Sequence, residues 1–233
     1  MKIGIVIPTF RKLDGSTYEH LKRALYSVKE QSHSDYKVFL IGDDYTDNDE
    51  LIELSKIIDN DKIYVENLPI AIERVKYTGN NLWATGGGNA SNMGIRKSIE
   101  EGYDYICLLD HDDYFLHNHL KLISDCIENN NTNFITTKCG PFPDIHPTGL
   151  YTIYRPISSH LYKLTTCVNF KYFNILFRDM IEETGRPYPG DADLWNRIKA
   201  DLISKNEFGI FINVVTCVRS EEGITKKKPH IIK

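Results

Sequence analysis

Tyr105-Ile-Cys-Leu-Leu-Asp110-His-Asp112-Asp113 is an apolar run that ends abruptly in three carboxylates within four residues. A continuous apolar run reads as a central parallel strand, and ligands of open α/β sheets bind beyond the carboxyl ends of such strands. The acids therefore fall where chemistry is expected. Like charges this close repel unless a cation or hydrogen bonds compensate them, and a hard divalent metal bound through oxygen is the simplest compensation. In an extended segment Asp110 and Asp112 would share one side and His111 and Asp113 the other, so two carboxylates could reach one ion. The alternative is capping of the helix that follows, where Leu116, Leu120, Ile123 and Ile127 recur at helical spacing. Capping accounts for one Asp there, not for three after a buried strand.

The 233 residues, 41% hydrophobic and 26% charged, suffice to bury one substantial core, so a single domain over 1–233 is expected. A formal net charge of -4 with a pI near 6.1 argues against a nucleic-acid surface. No stretch approaches the length of a membrane span, and Met1-Lys2 leads straight into a strand-like segment instead of a secretory leader. A cytoplasmic location is expected, with peripheral membrane contact left open. Cys107, Cys126, Cys139, Cys167 and Cys217 are odd in number and form no Cys-x-x-Cys pair, which suits reduced core thiols and provides no zinc or redox framework.

Taken in order, Ile3 to Ile7 reads as a first strand closed by Pro8-Thr9, and Ser16 with Glu19 as the capped start of a helix bearing Leu21, Ala24, Leu25 and Val28 on one face. Tyr36 to Ile41 repeats the strand pattern and ends in Gly42-Asp43-Asp44; Asp47 or Asn48 can cap the next helix, which leaves the paired Asp43 and Asp44 unexplained by capping. Lys62 to Glu66 is a third strand, and 67–85 reads as an irregular connection of a length that is usually functional. Gly86-Gly-Gly-Asn89 to Gly94 opens a helix running to about Glu101, where glycines would admit a diphosphate to the helix N-terminus. That stretch matches neither the Walker loop nor the dinucleotide fingerprint, and a glycine-rich hinge is as good a reading. After the acids come a helix and the strand Phe134–Lys138, then a proline-rich loop over 139–160 folded across the sheet's edge. Leu161–Val168 is strand-like, Tyr172–Glu183 helical, Asp191 to Leu202 helical with acids in its first turn, and Phe208–Val218 a last strand; 221–233 is a basic tail. The alternation indicates an α/β fold with a mainly parallel sheet flanked by helices.

The ordered set Ile5-Val-Ile-Pro-Thr-Phe10, Ala24-Leu-x-Ser27, Gly42-Asp-Asp-x-Thr-Asp47, Ala90-x-Asn92-x-Gly94 and Leu109-Asp-His-Asp-Asp113 resembles the inverting family 2 glycosyltransferases of the Rossmann-like GT-A fold, with a weaker match through Asp191-Ala-Asp193-Leu-Trp195. The resemblance implies a donor half over 1–115 and an acceptor half over 116–220. It implies that Pro8, Thr9, Phe10 and Arg11 form a base-binding turn, that Asp43, beside Asp44, reads the nucleobase edge, and that Asn92 faces the ribose and diphosphate. Asp110 and Asp112 match the family's Asp-x-Asp, which holds ribose and a metal-bridged diphosphate, with Asp112 the more direct metal ligand. Asp191 matches the aspartate of a Glu-Asp pair that serves as general base. The implied activity is transfer of a sugar from a nucleotide-diphosphate sugar, UDP-sugar favoured, to a saccharide or lipid-linked saccharide hydroxyl with inversion. Three departures stand out: Gly190 replaces the usual Glu, Ser91 stands where Arg is common, and 139–186 matches nothing in the pattern.

The residue inventory suits that chemistry. A diphosphate leaves poorly until its charge is neutralised, and oxygen ligands without Cys favour Mg or Mn over Zn. An acceptor hydroxyl needs a base, for which Asp193 competes with Asp191 unless it pairs with Arg197. Two other readings exist. Asp110-His-Asp112 has the spacing of a haloacid-dehalogenase-type phosphatase motif, but it lies beyond residue 100 and Tyr114 stands where that motif has Thr or Val. A glycan- or nucleotide-sugar-binding module without turnover would account for Gly190. His111, His117 and His119 read as surface or capping residues rather than ligands.

Overall fold

The computed structural model describes residues 1–140, 151–154 and 164–220. The expected basic tail and most of the expected proline-rich loop lie outside them. Three βα units open the chain. They are β1 (Ile3–Thr9) with α1 (Ser16–Lys29), β2 (Tyr36–Asp43) with α2 (Asn48–Ser55), and β3 (Ile63–Leu68) followed by α3 (Ile72–Lys76), α4 (Gly79–Thr85) and α5 (Gly88–Glu100). β4 (Tyr105–Leu108) leads through the acids into β5 (Tyr114–Phe115) and α6 (His119–Asn130). The remainder is β6 (Phe134–Gly140), β7 (Tyr151–Tyr154), β8 (Leu164–Asn169), α7 (Phe170–Phe173), α8 (Met180–Thr184), α9 (Gly190–Ser204) and β9 (Gly209–Val218).

The sheet runs β3-β2-β1-β4-β8-β6-β9-β5, with β7 on β9. Pairing is parallel through β3, β2, β1 and β4, as the βα alternation requires. β8 then enters antiparallel to both β4 and β6, β9 returns parallel to β6, and β5 and β7 pair antiparallel with β9, so the whole sheet is mixed.

Alternation along the strands divides the core. Ile5, Ile7, Val38 and Leu40 pack beneath α1, α2 and α6, whereas Val6, Phe39 and Ile106 face α5, α7 and α9 through Ile95, Phe170, Leu194 and Ile198. α5 lies close to the sheet because Gly94 has no side chain: a Cβ there would stand 2.6 Å from Val6 Cγ1. The Gly94 of the sequence motif is thus a packing residue.

Several expectations are corrected. Ser16 starts α1 without capping it; Gly15, at φ 75°, occupies the cap position, and the Asp14 carboxylate accepts from the Ser16 amide. The stretch 67–85 is not irregular throughout but carries α3 and α4. The expected helix over Tyr172–Glu183 is two short turns separated by Asn174 at φ 52°. Part of the expected 139–160 loop is strand β7. All five cysteines are free and buried, as expected. Among the described residues, no helix is long and apolar enough to cross a membrane.

The histidines also differ from expectation, since His111 and His119 are buried. His119 is fully enclosed, stacks on Phe115 at 3.8 Å between centroids and shares a 2.7 Å hydrogen bond with the Thr216 hydroxyl, which in turn meets Thr137. It ties α6 to β9 and β6. Burial pushes its imidazole down to about 3, so it folds neutral. The unfolded chain takes up a proton below about 6.5 and the native state does not, so His119 withdraws stability as pH falls from 6.5 toward 3. Between pH 7.5 and 5.5 that loss is roughly 1.4 kcal/mol. His119→Gln should be less stable at pH 7.5 yet show a shallower decline to pH 5.5 in urea titrations; parallel declines would remove His119 from this role.

Candidate active site

A cavity of about 600 Å³ opens at the carboxyl ends of β1 and β4. Pro8 and the segment Leu108–Asp110 with Asp112 and Asp113 form its floor, and Thr85–Gly88 with Ser91 form one wall. Phe177, Pro189, Gly190, Asp191 and Trp195 close another side; Cys139, Cys217, Arg219 and Ser220 complete it. Acids about 80 residues apart in sequence therefore share one space.

The acid segment is not extended. The Asp113 amide donates to the Asp110 carbonyl at 3.0 Å, closing a turn, so the strict alternation expected of a strand does not apply. Asp110, Asp112 and Asp113 nonetheless all border the cavity. Asp110 opens onto the cleft but is closely walled. Desolvation raises its carboxyl above the ordinary range, Asp112 and Asp191 push the same way, and Arg219 opposes them. Asp113 is buried, accepts the Ser220 amide at 3.1 Å and lies 3.6 Å from Arg219; burial and then Asp110 drive it up to about 7. Asp112 faces Lys12 at 3.8 Å, and its carbonyl accepts from Arg23 at 2.7 Å.

α9 separates its two acids. Asp193 is 4% exposed and clamped by Arg178 through two bonds of 2.9 Å and by Arg197 at 2.8 Å. Burial would raise its carboxyl, and the two guanidinium groups outweigh that and hold it below the usual range. Asp191 is exposed toward the cavity, and its only hydrogen bond among those described goes to the neighbouring Ala192 amide at 2.7 Å.

The remaining candidates lie around β1 and β2. Asp43 is 1% exposed at the end of β2, and one carboxylate oxygen takes Arg74 at 3.3 Å while Oδ1 has no partner among the described residues. Burial and the neighbouring Glu73 push it up to about 6 against the pull of Arg74. The Arg74 guanidinium covers the Phe10 ring at 3.3 Å, and Phe10 meets His111 edge-on at 5.6 Å. Thr9 is buried beside them, and its hydroxyl has no partner among the described residues. Asp44 is exposed at φ 53° and turns the chain after the strand. Arg11 points elsewhere, forked onto Glu50 at 3.1 and 3.2 Å. Asn92 spends its amide on the Phe177 backbone, with two bonds of 2.8 Å.

The glycine-rich helix start does attract an anion, but that anion belongs to the protein. Glu73 Oε1 accepts the Asn89 amide at 2.6 Å in the first turn of α5.

The model of the glycosyl transferase family 2 matches residues 4–185. The chain belongs to this family. A glycosyltransferase of Acanthamoeba polyphaga mimivirus is 31% identical over 244 aligned residues, covering 97% of this chain and 96% of the relative. One from Rickettsia bellii is 30% identical over 136 residues, 58% of this chain and 16% of the relative. The crystal structure of S. aureus TarS 1-349 in complex with UDP-GlcNAc superposes with a TM-score of 0.66 at 16% identity, over 98% of this chain and 62% of that one. The GT-A fold expected of a glycosyltransferase is therefore the fold present.

Within this glycosyltransferase, Arg74, Glu73 and Arg219 were not among the sequence candidates, whereas Asp113 was read with the acid cluster but given no role of its own. Arg219 alone carried a usable signal, a charge directly after the last apolar strand, where the sheet's carboxyl ends gather ligands. Because Asp193 is an enclosed, doubly paired carboxylate, Asp193→Asn should cost about 3 kcal/mol of stability by leaving two guanidinium groups undercompensated. Asp191→Asn should stay within about 0.5 kcal/mol. Urea unfolding of the two variants checks this; equal costs would mean that α9 is anchored through something other than the clamp.

Proposed function

We propose that this glycosyltransferase moves a sugar from a UDP-sugar to a saccharide hydroxyl, with inversion, using Asp191 as general base and a divalent metal at Asp110 and Asp112. The observation that carries this reading is the convergence of Asp191 with the β4 acids in one cavity while Asp193 is fully committed to two arginines.

The nucleobase end rests on an orphan acceptor. The buried Asp43 Oδ1, without a partner among the described residues, is the group a uracil N3–H would satisfy, and the adenine edge offers no equivalent donor there. UDP-GlcNAc in the TarS complex is consistent with a uridine donor.

Among the described residues, no three Asp, Glu, His or Cys side chains form a ligand cage. Magnesium and manganese at diphosphate sites need only one or two carboxylates, with phosphate and water supplying the rest, and Asp112 and Asp110 meet that requirement. The cavity's excess of carboxylates over cations fits such an ion, since a diphosphate would otherwise be repelled. When bound, the metal neutralises the charge that develops on the departing diphosphate. Asp191 takes the proton of the acceptor hydroxyl as its oxygen attacks the anomeric carbon, and the bond from that carbon to the phosphate oxygen breaks on the opposite side. One displacement inverts the configuration.

Asp112→Asn should fold normally and lose the gain in UDP affinity that Mn confers on the wild type. Titration calorimetry with and without Mn reads this directly, and an unchanged Mn effect in the variant would exclude Asp112 as a ligand. Asp191→Asn should keep donor affinity and lower turnover by about 10² or more, because donor contacts and base are separate groups. Turnover is followed with radiolabelled nucleotide sugars, counting hydrolysis as well as transfer. Full activity in this variant, or a retained anomeric configuration by NMR coupling, would overturn the assignment; no turnover in the wild type would favour a binding module.

A further inference from the structure

Cys139 and Cys217 are neighbours across the sheet, paired in register on the parallel strands β6 and β9. Thr137 faces Ile212, so an unbroken ladder would set Cys139 against Val214. Register shifts on either side of Lys138 advance β9 from Val214 to Cys217 and bring the two sulfurs to one place. Adjacent strands lie about 4.8 Å apart, within the roughly 4.4–6.8 Å between Cα atoms that a disulfide spans. The two thiols are in hydrogen-bond contact, and both residues, 1% and 2% exposed, border the cavity. Cys107 and Cys167 are also paired in register, across β4 and β8, with their thiols in contact. They are 0% exposed and lie off the cavity wall, so cavity access separates the two pairs.

We propose that Cys139 and Cys217 form a dithiol modification site, which peroxides entering the cavity oxidise to a disulfide. Contact with the Cys217 thiol, helped by the charge of Arg219, holds the Cys139 thiol below its ordinary range against the effect of burial, and the same contact and burial push Cys217 well above. Cys139 is therefore the sulfur that attacks. Its thiolate takes one peroxide oxygen to become a sulfenic acid, the O–O bond breaks, and the departing hydroxide picks up a proton and leaves as water. The Cys217 sulfur then attacks the sulfenic sulfur, its proton leaves with the sulfenic hydroxyl as a second water, and the S–S bond forms. The pair has given two electrons and the peroxide has taken them. The bond joins β6 to β9 just before Arg219, the residue that lies beside Asp113. No Cys-x-x-Cys spacing marks the pair in the sequence, and the site stands apart from the donor, metal and base assignments.

The test exposes the native full-length chain, first fully reduced, to a graded series of hydrogen peroxide, then blocks free thiols and maps cross-linked peptides by mass spectrometry. A Cys139–Cys217 bond should form at least about tenfold faster than a Cys107–Cys167 bond, and dithiothreitol should restore both thiols. In Cys217→Ser the reaction should stop at the Cys139 sulfenic acid, which dimedone captures; in Cys139→Ser, Cys217 should take no dimedone. The site is overturned if peroxide leaves Cys139 and Cys217 unjoined in the native chain, if Cys107 and Cys167 join as fast, or if Cys217 takes dimedone as readily as Cys139. The wild-type comparison of the two pairs decides the matter even where a serine variant fails to fold.

Discussion

Crowding of like charge at the end of β4 is the constraint on which the rest of this molecule turns. Asp110, Asp112 and Asp113 are brought together by a turn, and Asp191 joins them from α9. Carboxylates in a walled space repel, so each must be protonated, paired or offered to a cation. The structure uses the options unequally. Among the described residues, Asp113 is given Arg219 and the Ser220 amide, Asp112 has only a distant Lys12, and Asp191 has a single amide of its own helix turn. The groups left least compensated are the two proposed as metal ligand and base.

A second tier of interactions keeps other charges out of that space. Arg178 and Arg197 retain Asp193 behind α9, and Glu50 draws Arg11 away from the turn after β1. Glu73 occupies the amide end of α5, which would otherwise be an anion site in its own right. With that end already filled, the proposed diphosphate would find its positive charge at the acids through an ion, or at Arg219. These ion pairs contribute little net folding energy where exposed, and their effect is to decide which carboxylates face the cavity.

The first half of the chain was legible because its signals are local. β1, β2 and β4 are apolar runs, α1 and α5 carry apolar stripes, and a strand followed by acids says where ligands gather. Short elements escaped: α3 and α4 are five and seven residues long and have no full period to read, and β5 has two residues. The base-end cluster was half legible. Asp43 stood out as an acid after a strand, while Arg74, 31 positions later in a segment with no pattern, could not be joined to it. Asp191 and Asp193 looked alike in sequence, and only the fold brings Arg178 beside one and the cavity beside the other. Asn92 was matched by its place in the motif, and its amide is turned to the Phe177 backbone, a partner 85 residues away.

The link from Asp113 to Ser220 spans 107 residues, and Arg219 rides on the same strand end. As the chain leaves the ribosome, β1 to β4 can pair locally, and Lys12 and Arg23 can then reach the acid turn at Asp112, but Asp113 has yet to meet Arg219. Arg219 arrives only after β9 has been made and slotted between β6 and β5. Closure of the acid-lined cavity is thus deferred until β9 docks, and until then Asp113 lacks the guanidinium that lies beside it in the folded chain.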